Sequence, residues 1–136
     1  VNLAARLEGL TKVYGGSIII TEDTLIKLND PSQYQFRVLD VVKVKGKKEA
    51  IYIFEIIDGE PEIIKNLKIS TKEDYNRALE AYKKKEFKNS VKLLQSIQAV
   101  NPKDKVIKIY LDRCSYYIEK GVPEFWDGVE SFDLKF

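Results

Sequence analysis

Asn2 and Arg6 stand four residues apart in VNLAARLEGL, where the chain opens. In an α-helix that spacing sets both side chains on one face, one turn apart. A carboxamide can donate and accept hydrogen bonds. A guanidinium one turn on can fork onto two oxygens of a phosphoryl group and keeps its charge at any physiological pH. Lys45, in the stretch Val44-Lys45-Gly46-Lys47, is a third candidate. At a turn its ammonium is a compact, mobile point charge suited to phosphate oxygens. Such a set could serve phosphoryl transfer, which depends mostly on positioning and charge stabilisation. Taken alone, Asn2 and Arg6 equally suit a solvated helix face. Lys43, Lys47 and Lys48 read as ordinary surface charge.

Composition narrows the chemistry. The 136 residues allow one ordinary core or two small ones. Hydrophobic content of 44% with 32% charged residues is that of a globular chain. The 23 basic and 21 acidic residues leave a net charge of +2, without the clustered basic face of a nucleic-acid binder. There is no histidine, which excludes a histidine general base, a histidine-containing triad and the usual zinc sites. The single cysteine, Cys114, permits no intramolecular disulfide and fits a reducing cytosol. Its place on an apolar helix stripe predicts a small buried residue rather than a reactive thiol. No apolar run approaches the ~20 residues of a membrane span, and no signal peptide is visible. The chain contains no methionine, from which we expect a piece of a longer protein. A membrane anchor in a preceding region stays open.

The elements that must carry these residues follow from periodicity. Leu3, Leu7 and Leu10 recur at helical spacing, predicting a helix over 1–14 that ends at Gly15-Gly16. Ser17-Ile18-Ile19-Ile20 reads as a short buried strand. Thr21 can cap a short helix to about Leu28. Residues 36–43 alternate, with Phe36, Val38, Asp40 and Val42 on one side and Arg37, Leu39, Val41 and Lys43 on the other, so neither side is cleanly polar. With Ala50–Ile57 they predict a β-hairpin whose turn holds Lys45. Residues 58–70 read as a linker. Beyond it the period becomes helical: Ser70 and Glu73 make a capping-box pattern, and Tyr75, Ala78, Leu79 and Tyr82 an apolar stripe. Val91, Leu94 and Ile97 mark a second helix that stops at Asn101-Pro102. Ile107, Tyr110, Leu111, Cys114, Tyr117 and Ile118 mark a third, from about Asp104 to Gly121. The aromatic tail with Phe125 and Trp126 should pack back on something.

Two resemblances follow. VNLAARLEGLTKVYGGSIIITEDT, followed by FRVLDVVKVKGKKEAIYIFEI, resembles the C-terminal part of a class III nucleotide cyclase catalytic domain, the adenylate and guanylate cyclases. The match rests on V-N-x-A-x-R on a helix, an apolar strand ending in I-T, and V-K-G-K in a hairpin before an aromatic-rich strand. The helical part resembles a tetratricopeptide repeat. Ala78 and Ser90 fall at its small positions, Phe87 at its aromatic, Leu94 at its large apolar position and Pro102 at its terminal proline. Ile97 stands where a small residue is usual, and Lys85 near the usual turn glycine. The third helix would open a second repeat or cap the first.

The resemblances imply an α+β fold. It is the C-terminal half of a ferredoxin-like cyclase domain over 1–57 (helix, short strand, helix, β-hairpin), then the 58–70 linker, then a tetratricopeptide-like hairpin and third helix over 71–136. They imply a parent enzyme that converts ATP, or less readily GTP, to the 3′,5′-cyclic monophosphate and pyrophosphate, using two Mg or Mn ions at the interface of a cytoplasmic homodimer. Asn2 would orient the ribose, Arg6 would stabilise the α-phosphate in the transition state, and Lys45 would hold the polyphosphate. The family's metal-binding aspartates lie earlier in its domain. Asp23, Asp30 and Asp40 do not match that motif, so this chain is expected to hold no metal and to be inactive alone. The helical extension could bind a protein partner. The competing expectation is a non-catalytic interaction module built on the helical hairpin.

Overall fold

A computed structural model describes residues 10–15, 18–44 and 49–132. By internal contacts these fall into two units: one up to Lys65 together with the strand that begins at Glu130, the other from Asn66 to Gly128.

The first unit is a sheet between helical segments. Residues 10–14 are helical (α1), and Gly15 closes the segment at φ 73°, with its N–H on the Thr11 carbonyl at 2.8 Å. That left-handed conformation is cheap for glycine. Strand β1 (Ile19–Thr21) leads directly into α2 (Glu22–Ile26). The Thr21 hydroxyl accepts from the Thr24 N–H, as the sequence predicts for a cap. A 3-10 turn at Pro31–Gln33 precedes β2 (Phe36–Val44), which pairs antiparallel with β3 (Ala50–Ile56). Strand β4 (Glu130–Phe132) lies parallel to β2, opposite Val42 and its successors. The sheet order is β1-β3-β2-β4. This is the expected α+β class, with a fourth strand that the sequence did not reveal: three residues are too few to show a period.

The hairpin carries a bulge. Arg37 pairs with Glu55 and Val38 with Phe54, but the register then shifts, so that Asp40 pairs with Ile53 and Lys43 with Ala50. Partners in register point to the same face, and faces alternate along a strand. Arg37, Glu55, Ile53 and Asp40 therefore share one face. Strict alternation would have sent Asp40 to the face of Phe36 and Val38. The bulge corrects that expectation by inserting one residue. The opposite face, with Phe54, Ile56, Phe36, Val38 and Ile20, packs on Leu25 and Leu28 at α2. With both faces occupied, the strands are apolar almost throughout, which is why they lacked a clean polar side.

Residues 58–70, expected as a linker, hold regular structure. A 3-10 turn covers Ile57–Gly59, and α3 covers Glu62–Ser70. Pro61 directly precedes α3, where a missing N–H costs little. Ser70 therefore lies inside a helix and donates to the Leu67 carbonyl at 2.9 Å. The expected capping box does not form: Thr71 is the cap of the next helix and makes no side-chain capping bond.

The second unit is built on α4 (Lys72–Lys83), α5 (Phe87–Val100) and α6 (Lys105–Lys120). Ala78 and Ser90 are fully buried where α4 meets α5, and the Ser90 hydroxyl donates to the Ala78 carbonyl at 2.8 Å. Small side chains let the two backbones approach, while Tyr82, Leu94 and Ile97, each buried, fill the seam. Asp104 caps α6 through the Val106 N–H. Trp126 packs as the tail was expected to, its ring 5.4 Å from Tyr82 and 5.2 Å from Tyr117. Its neighbour Phe125 is 91% exposed. Cys114 is buried and free, and burial pushes its thiol up. This is the inert residue expected from the helix stripe.

At the α4–α5 turn, Lys85 adopts φ 65°, the left-handed region that costs a residue with a Cβ roughly 1–2 kcal/mol. Lys85→Gly should remove that strain. Glycine's greater freedom in the unfolded chain gives part of it back, leaving a net gain of about 0.5–1 kcal/mol. A urea titration comparing midpoints tests this. An unchanged or lowered midpoint would mean that the turn is unstrained.

Candidate functional site

Asn2, Arg6 and Lys45 all lie outside the described residues. What the structure gives is the framework on either side of them: α1, which follows Arg6 in the chain, and the strands β2 and β3, which precede and follow Lys45 in the chain.

That framework is joined by buried polar groups. The Tyr14 hydroxyl at the end of α1 donates to Asp40 Oδ2 at 2.6 Å. Asp40 Oδ1 accepts from the Val41 N–H at 2.9 Å. Both Tyr14 and Asp40 are 1% exposed. On the same face, Arg37 Nε donates to Glu55 Oε1 at 2.9 Å, and these side chains are 1% and 0% exposed. Buried charges are retained only when paired and hydrogen-bonded. Asp40 and Glu55 are thus tied into the packing, Glu55 by the guanidinium of the facing strand and Asp40 by the phenol of α1. Leu10, one turn before Tyr14, is also 1% exposed. α1 therefore docks by an apolar contact and a polar one.

Sequence reasoning set Asp40 aside for failing a metal motif and did not single out Arg37, Glu55 or Tyr14. The available signal was charge in an otherwise apolar hairpin: Arg37, Asp40 and Glu55 sit where the strands should be buried. Such residues need partners, and pairing could have been anticipated though not which with which. Among the described residues, no three His, Cys, Asp or Glu side chains gather as a metal site requires. They therefore do not fit the two-ion group that the cyclase resemblance implies.

The second unit has an open groove of about 400 Å³ lined by Arg77, Glu80, Lys84, Glu86, Asn89 and Lys92. Its charges are partly spent on one another. Lys84 donates to Glu80 at 2.9 Å, and Arg77 to Asp74 at 3.4 Å. The hydrogen bond between them, with their mutual attraction, raises the Lys84 ammonium and lowers the Glu80 carboxyl.

No protein-family model matches the chain, and no solved structure matches it. Known proteins do. The chain is 36% identical over 115 residues, 84% of its length, to "Adenylate cyclase, terminal-differentiation specific" of Dictyostelium discoideum. It is 53% identical over 57 residues to "Adenylate cyclase" of Anabaena cylindrica, and 37% identical over 57 residues to "Adenylate cyclase 1" of Rhizobium meliloti (strain 1021). The aligned stretches are 5%, 11% and 8% of those proteins. A 115-residue match necessarily runs through α4 and α5, so the likeness to the Dictyostelium protein extends into the second unit. No described helix is long and apolar enough to cross a membrane.

Proposed function

Because the chain is related in sequence to adenylate cyclases, we propose that it forms the C-terminal part of a class III cyclase catalytic domain, followed by a tetratricopeptide-like helical extension. The parent acts as a cytoplasmic homodimer that converts ATP, and GTP less readily, to the cyclic monophosphate and pyrophosphate. The carrying observation is the 36% identity that spans 84% of the chain. That match includes the helical unit, which favours a cyclase with an extension over a free-standing interaction module.

In this reading the Asn2 amide orients the ribose. The Arg6 guanidinium meets the charge that develops on the α-phosphoryl oxygens. The Lys45 ammonium holds the terminal phosphates. No residue of this chain is assigned to the two Mg or Mn ions that the family uses. Their carboxylates come from the region that precedes this segment in the family, on the other subunit of the dimer.

The test is a cyclisation assay with Mn-ATP and Mn-GTP, read by mass spectrometry. The 136-residue chain alone should give no cyclic nucleotide. Extended through the preceding catalytic region, it should form cyclic AMP. Turnover by the chain alone would overturn the half-site argument, and silence of the extended protein would overturn the cyclase reading.

A further inference from the structure

Asp40 is placed by an irregularity rather than by the regular strand. Without the register shift after Val38, Asp40 would share the face of Phe36 and Phe54, among Leu25 and Ile56. There it would stand opposite Tyr52 on the apolar face, across the sheet from Arg37 and Glu55. The extra residue turns it to the face of Arg37 and Glu55, where the Tyr14 hydroxyl reaches it at 2.6 Å. Bulges re-aim a side chain in this way and recur beside functional sites. Two features need each other here: the bulge in β2 and a phenol at the end of α1. The charged pair Arg37–Glu55, two ladder positions along, stiffens the strands at that point.

We infer that Asp40 is a positioning residue. Through Tyr14 it locks α1 to β2, so that the helix and the strand stand at a fixed distance from each other. The inference rests on the proposed cyclase reading, in which Asn2 and Arg6 precede α1 and Lys45 follows β2 directly. In such chemistry the groups on the α-phosphoryl and on the terminal phosphates must be held to within about 1 Å, since a misplacement of that size can cost roughly 100-fold in rate. A lock between their two supports meets that requirement without touching substrate.

The experiment uses the full-length protein and three variants, Tyr14→Phe, Asp40→Asn and Asp40→Ala. Tyr14→Phe keeps the buried ring and removes the hydroxyl; Asp40→Asn keeps an acceptor oxygen for it. Tyr14→Phe should lower kcat by about 10-fold or more with a smaller change in KM for ATP, because alignment matters most in the transition state. Asp40→Asn should retain more activity than Asp40→Ala. Hydrogen exchange at residues 10–14 should quicken in Tyr14→Phe, a readout independent of turnover. Faster exchange with unchanged kcat would overturn the positioning role while leaving the cyclase reading intact. Unchanged exchange would overturn the lock itself. If the unsubstituted protein makes no cyclic nucleotide, the cyclase reading and the catalytic role fall together, while exchange still decides whether the lock exists.

Discussion

Arg6→Ala in the full-length protein is expected to lower kcat on the order of 10²–10³-fold, the usual loss when one donor to a developing oxyanion is removed. KM for ATP should change far less. In the proposed role the guanidinium gains most when charge spreads onto the oxygens of the five-coordinate phosphorus, not in the ground state. The fork geometry also makes a graded prediction. Arg6→Lys retains the charge but not the paired donors, so it should recover only part of the loss. Steady-state kinetics on the purified variants, with folding checked by circular dichroism, gives both numbers. An effect confined to KM would assign Arg6 to substrate binding. No effect on either would return it to the solvated helix face.

The largest effect on stability is expected at Glu55. Its carboxylate is fully buried against the Arg37 guanidinium at 2.9 Å. Glu55→Ala removes one member of that buried pair, and breaking a buried pair from one side costs about 3–5 kcal/mol. Arg37→Ala, which breaks the same buried pair from the other side, should cost a similar amount. Replacing both residues together by Met and Leu should cost much less, because neither charge is then left behind. Urea unfolding of the three variants provides the comparison. If the double substitution is as damaging as either single one, the pair is worth more than an apolar contact. If the single ones are harmless, water or another group must reach the site.

Some of this protein was legible in its sequence for clear reasons. Helical stripes longer than three turns carry enough apolar repeats to be unmistakable, and Tyr75, Ala78, Leu94, Ile107 and Cys114 are all buried in the structure. Thr21 caps the helix it was expected to cap, since a cap is a local bond between a side chain and an N–H two or three residues on. The misses concern short or interrupted patterns. α3 offers only Ile63, Ile64, Leu67 and Ile69 between a proline and the next helix, too brief to separate from a linker. Ser70 and Glu73 have capping-box spacing, but a chain already helical at Ser70 has no free end there to cap.

The sequence by itself determined the kinship with cyclases, because order and spacing of residues survive in a string. It also determined that neither side of the hairpin would be cleanly polar, because apolar residues occupy both of its alternating sets. Only the tertiary structure decided where the buried charges go. The bulge after Val38 moves Asp40 across the sheet to the Tyr14 hydroxyl, and cross-strand register brings Arg37 to Glu55. Such pairings join residues 26 and 18 positions apart. A one-residue slip reverses which face a side chain takes. No local pattern encodes that slip, and it is settled only when helix and strands pack together.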